Sequence, residues 1–131
     1  MTEVKTFTKI SLIIYGIVCV LYGVLAIFML EMMEPFLGTM DPFQPRLFGG
    51  VLFVIAIFAF LIVIKKDWDW EHIKLAYIVL YSLLISTIIL EGSVTALLFS
   101  TLPAAGISMH AMDLIIMPVL LILGLYSYFK Q

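Results

Sequence analysis

Four long apolar stretches constrain this chain more than anything else in it. Ile10 to Leu30 is a run of 21 residues without one charged side chain, and Leu47 to Ile64 is a second of 18 residues, closed by Arg46 and Lys65. A third runs from about Ile73 to Phe99 with a single acid, Glu91, inside it, and a fourth from about Met112 to Phe129 with Asp113 at its start. At 1.5 Å rise per residue, about 20 residues cross a hydrocarbon layer of roughly 30 Å. Lipid offers no hydrogen bonds to backbone groups, so each segment must satisfy its own, and a helix does this. The alternation of a membrane β-strand is absent. The predicted fold is all-α: one four-helix transmembrane bundle, up-down-up-down, with spans near 10–30, 47–64, 73–99 and 112–129.

Composition agrees. Hydrophobic residues make up 64% of the 131, charged residues 12%, and mean hydropathy is +1.21. A soluble domain carries roughly 25% charge. With a net charge of −2 and no basic run longer than Lys65-Lys66, nucleic acid is not an expected partner. Membrane lipid is. The lone cysteine, Cys19, cannot form an internal disulfide or a CxxC pair. That excludes a disulfide-relay or vitamin-K-epoxide-reductase-like mechanism, and Cys19 reads as a small apolar filler. The Ile10–Leu30 run is longer than a signal-peptide core and no A-x-A site follows it, so it reads as a retained span.

The connections are short. Glu31 to Pro45 holds Pro35, Pro42, Pro45 and Gly38, with Met32, Met33, Phe36, Leu37 and Phe43 placing it on the membrane surface. Lys65 to His72 is charged and carries Trp68 and Trp70 at interface level. Ser100 to His110, with Pro103 and Gly106, reads as a third turn. In this arrangement Lys5, Lys9, Lys65, Lys66, Lys74 and Lys130 fall on one side and Arg46 alone on the other. The positive-inside rule then puts both termini in the cytoplasm, and the expected location is the cell membrane of a prokaryote. The strong bias argues against a dual-topology assembly, and no internal repeat marks an inverted-repeat transporter.

Glu31, Glu34, Asp41, Arg46, Glu91, His110 and Asp113 collect on the opposite, outer side. Arg46, Glu91 and Asp113 flank or enter apolar spans, where an ionised group is costly and usually pairs. The expectation is that Arg46 pairs with Glu91, Asp113 or both near the outer mouth, as a packing clamp or as a ligand site, with simple solvation at the interface as the third reading. His110 stands three residues before Asp113 and shares its face if the fourth helix already includes it. Together with Glu91 they could form a metal or acid/base constellation, but no HExxH or paired-His spacing supports this, so neither a metal nor a cofactor is expected.

Helix-packing candidates are Tyr15-Gly16 and Tyr22-Gly23, at heptad spacing on helix one, and Gly49-Gly50 on helix two. Ser82, Ser86 and Ser93 share one face of helix three, and Thr87, Glu91 and Thr95 another, which makes helix three the expected central helix. Pro118 is expected to kink helix four. These small-residue faces serve within the bundle or between chains, so a homo-oligomer and a membrane-protein partner are both compatible with them.

The first span with Tyr-Gly, the Pro-containing loop from Glu34-Pro35 to Pro45, and Arg46-Leu47-Phe48-Gly49-Gly50 opening the second span resemble the DoxX-like group of small four-helix membrane proteins. The resemblance covers most of the chain in layout and implies a four-helix bundle. The quinone-linked sulfur oxidation associated with DoxX itself is carried by no residue here. The favoured function is a non-enzymatic membrane module whose outer polar mouth binds a lipid-like small molecule or a membrane partner. A transporter or channel subunit acting as an oligomer is one alternative. An intramembrane enzyme acting on a lipid or quinone, with Glu91, Asp113 or His110 as acid and base, is the other.

Overall fold

The structure is a computed structural model that describes residues 3–32, 43–65 and 68–131. It is a bundle of four long helices: α1 Thr6–Phe28, α2 Phe43–Ile64, α3 Trp70–Leu98 and α4 Ala104–Lys130. Each is long and apolar enough to cross a membrane. The surface-lying character expected for Met33, Phe36 and Leu37 falls outside the described residues, as do Pro35, Pro42, Glu34 and Asp41.

The helices bury polar groups inside and present hydrocarbon outside. Phe28, Leu75, Ile122 and Phe129 are among many large apolar side chains that are mostly exposed, while Thr8, Ser11, Asp113 and Ser127 are buried. An apolar surface this continuous is unsustainable in water. With the helix lengths it makes the protein an integral membrane protein.

Packing runs in the order α2, α1, α4, α3. The α1–α2 seam is the most extensive, α4 touches both α1 and α3, and α2 and α3 barely meet. Glycine sets the first seam. A Cβ on Gly16 would lie 2.7 Å from Phe60 Cε1, and one on Gly49 2.8 Å from Ile27 Cγ1 and 3.1 Å from the Gly23 carbonyl oxygen. Only hydrogen at these positions lets the two backbones come this close. Gly50 meets nothing within 4 Å, so of the expected pair Gly49 alone packs.

Two further expectations are corrected. The central helix is α1, not α3. Ser82, Ser86 and Ser93 are exposed, because Ser86 donates to the Ser82 carbonyl at 3.1 Å and Ser93 to that of Ile89 at 2.7 Å. A hydroxyl satisfied by its own helix needs no partner helix. In addition, α4 starts right after Pro103 rather than near Met112. Pro103 holds an extended ψ of 154° and cannot donate, a natural place for a helix to begin. The turn is therefore shorter than expected and His110 lies inside the helix. The same helix runs through Pro118 without a break.

An aromatic ladder ties α3 to its neighbours. Tyr77 and Tyr81 rings lie 4.6 Å apart, with Tyr15 5.4 Å from Tyr81 and Trp70 5.5 Å from Tyr77. Each buried hydroxyl finds a partner. Tyr81 and Ser11 share a bond of 2.5 Å, Tyr15 donates to the Leu80 carbonyl at 3.2 Å, and Tyr77 donates to that of Gly124 at 2.9 Å. The two termini meet at one end. Gln131 Oε1 accepts from the Lys5 backbone at 2.9 Å and from Thr8 Oγ1 at 2.8 Å, and its amide donates to the Glu3 carbonyl at 2.8 Å.

Candidate functional site

At the end of the bundle remote from the termini, three helices converge on one polar cluster. Glu91 comes from α3, His110 and Asp113 from α4, and Tyr22 from α1. All four sit roughly 9–14 Å of helix rise inside the ends of their helices, deeper than a freely hydrated side chain. His110 Nδ1 bonds Glu91 Oε1, and the Tyr22 hydroxyl donates to Asp113 Oδ1. One ligand-type atom each from Glu91, His110 and Asp113 lie within 4.8 Å of one another. Asp113 is only 7% exposed, and the side chains of His110 and Glu91 are 12% and 20% exposed. Placing carboxylates at such depth is costly unless they are paired, so the imidazole and the phenol serve as their internal solvent.

The local sequence accounts for the arrangement. Within α4, the three-residue step from His110 to Asp113 turns both side chains to one face. Thr95 Oγ1 donates to the Glu91 carbonyl at 2.7 Å, so the hydroxyl one turn beyond Glu91 binds backbone and leaves the Glu91 carboxylate to His110. Tyr22, one heptad after Tyr15, sits on the stripe of α1 that faces α3 and α4, while Gly16 and Gly23 face α2.

Arg46 is not part of the cluster, which corrects the expected Arg46 clamp. It is exposed in the first turn of α2 and forms no ion pair among the described residues. Because α4 begins early, Asp113 is drawn about two and a half turns into the bundle, whereas Arg46 stays about one turn from its helix end. A long guanidinium side chain at that level reaches outward to water and headgroups. Tyr22 takes its place. The signal for Tyr22 is its spacing on helix one, which places it among the helix-packing candidates.

Next to the cluster lies an apolar cavity of about 230 Å³. Tyr15, Cys19 and Tyr22 of α1, Leu52 and Ile55 of α2, Thr87 of α3 and Met117 of α4 contribute to its wall. It occupies the region where α2 and α3 barely touch. Its two aliphatic hydroxyls, Ser86 and Thr87, donate to their own helix, Thr87 to the Leu83 carbonyl at 2.9 Å, and its two phenols donate to the Leu80 carbonyl and to Asp113, so the wall is largely hydrocarbon. Tyr22 belongs to both features: it lines the cavity and its hydroxyl holds Asp113. A second groove, about 260 Å³ between α3 and α4, is lined by Tyr77, Tyr81 and Tyr128 and by no member of the cluster.

The arrangement combines a polar, hydrogen-bonding head with an adjoining hydrocarbon slot in one membrane bundle. No protein-family model matches the chain, and no curated protein or solved structure matches it either.

Proposed function

We propose that the protein binds a lipid-like small molecule, with its polar head at the Tyr22–Glu91–His110–Asp113 cluster and its apolar tail in the cavity between α2 and α3. The observation that carries this reading is the double role of Tyr22, which joins a buried polar cluster to a hydrocarbon cavity. Binding sites are typically concave, mostly apolar and equipped with a few convergent polar groups, and this pair of features has that make-up. The sparse α2–α3 seam supplies a lateral route from the bilayer. The head would lie toward the outer leaflet, since the lysines gather at the termini end and mark it as cytoplasmic. The DoxX-like layout is part of the same proposal and adds no activity to it.

A photoactivatable lipid carrying a diazirine in its tail, reconstituted with the protein in nanodiscs, tests this. Crosslinks should concentrate on Leu52, Ile55, Thr87 and Met117. Leu52→Trp, which fills the slot, should remove them while leaving labels on outward residues such as Leu75 and Ile122. Labelling confined to outward residues in the unaltered protein would end the proposal. A bound molecule that is chemically changed over time would favour the intramembrane-enzyme reading, with the His110–Glu91 pair as acid and base.

A further inference from the structure

We infer that Glu91, His110 and Asp113 form a binding site for a divalent first-row metal cation of the zinc class. The donor set is one imidazole nitrogen and two carboxylate oxygens, contributed by two different helices and gathered within 4.8 Å. Zinc binds such ligands at about 2.0–2.2 Å, which in a tetrahedral site puts donor atoms roughly 3.3–3.6 Å apart. The widest pair of donors therefore needs to close by about 1 Å and the hydrogen-bonded His110–Glu91 pair to open by a similar amount, both within the reach of small rotations about their own torsions. Three protein ligands leave a fourth position for water or for an oxygen of a bound headgroup.

Three features support a metal over a plain hydrogen-bonded knot. The cluster carries two carboxylates and no Lys or Arg within ion-pair distance among the described residues, so its formal charge favours a cation. Asp113 is more than nine-tenths buried and its Oδ1 is held by Tyr22; Oδ2 makes no hydrogen bond among the described residues and, since every fully buried side-chain oxygen there is partnered, it lies at the accessible edge of the cluster, where it can coordinate. That Tyr22–Asp113 bond is also the kind of outer contact that orients a ligating carboxylate. On binding, the metal takes the place of the proton between His110 Nδ1 and Glu91 Oε1; that proton moves to Nε2 where the ring had only the one, and leaves to solvent where Nε2 already carried its own. The expectation of no metal rested on spacing within one segment. These ligands are 19 residues apart across a helix turn, which no local motif records.

The site does not depend on lipid occupying the cavity, and its test uses the metal alone. Protein stripped with chelator and held in nanodiscs is titrated with Zn²⁺, read as bound metal per chain, and with Co²⁺, read by its visible absorption. One ion per chain should bind. His110→Ala and Asp113→Asn should abolish it, and Tyr22→Phe should weaken it about 10–100-fold, as the loss of an outer contact does. Helicity and thermal midpoint are measured alongside. If a ligand variant fails to fold, Tyr22→Phe and Glu91→Gln carry the decision. His72→Ala removes the His72–Asp69 pair at the other end of the bundle and should leave metal uptake unchanged. Leu52→Trp should lose lipid crosslinks yet keep the metal, which separates this inference from the lipid proposal. No stoichiometric uptake, or uptake that follows His72 instead of His110, would overturn it.

Discussion

Gly124→Ala should be one of the most damaging single-methyl additions to this bundle. Alanine is the better helix former by roughly 0.5–1 kcal/mol, so propensity alone predicts a gain. The packing predicts the opposite. A Cβ at position 124 would lie 1.9 Å from Tyr81 Cε1 and 2.4 Å from its Cδ1 and Cζ. The ring cannot simply turn aside, because Tyr81 is bonded to Ser11 at 2.5 Å and packed 4.6 Å from Tyr77. Over-packing of this kind costs about 1–3 kcal/mol. Breaking the Ser11 bond inside a membrane bundle adds roughly 0.6–1.7 kcal/mol. Against the propensity gain, the net loss should be about 1–4 kcal/mol, read as unfolding free energy in mixed micelles of rising SDS fraction. Tyr81→Leu removes the obstructing ring, so in the double variant the alanine should cost less than it does alone. Residues in contact deviate from additivity by about 0.5–3 kcal/mol. A Gly124→Ala protein as stable as the parent, or a strictly additive double variant, would refute this account of the α3–α4 contact.

Gly49→Ala and Gly50→Ala, adjacent on α2, should differ in sign. The first drives a methyl against Ile27, Ala26 and the Gly23 carbonyl and should destabilise. The second meets open space and should stabilise by up to about 1 kcal/mol in the same micelle assay. Asp69 caps α3, accepting from the His72 ring and from its backbone N–H at 3.1 Å, and these bonds hold its carboxyl below the ordinary value. A lowered folded-state pKa means that the capping contribution is complete above the unfolded value, near pH 4, and is lost as pH falls through the folded one. The difference in thermal midpoint between the parent and Asp69→Ala should thus be constant near neutrality and shrink below about pH 4. Cysteine labelling at Trp68 and at Thr101, in a Cys19→Ala background, should report opposite sides of the membrane; labelling from the same side would contradict four spans.

Much of the architecture follows from the sequence for a simple reason. An apolar run long enough to cross a bilayer must be helical there, because hydrocarbon leaves the backbone no other partner. Four such runs joined by short connections must alternate, which returns both termini to one end, where Lys5, Thr8 and Gln131 meet. The residues of the polar cluster were legible for a related reason: Glu91 and Asp113 stand out in apolar spans because charge is expensive at depth. What the sequence could not decide was rotation. These helices are apolar nearly all round, so no strong amphipathic stripe says which face turns inward. Hence Ser82, Ser86 and Ser93 read as a packing face yet are exposed, with the hydroxyls of Ser86 and Ser93 bonded to their own backbone. Hence also Arg46 read as the partner of Asp113, while tertiary packing chose Tyr22. The extra turns that Ala104 to His110 add to α4 drew Asp113 below the level an arginine on the first turn of α2 can reach, and a phenol on the neighbouring helix was already at that depth.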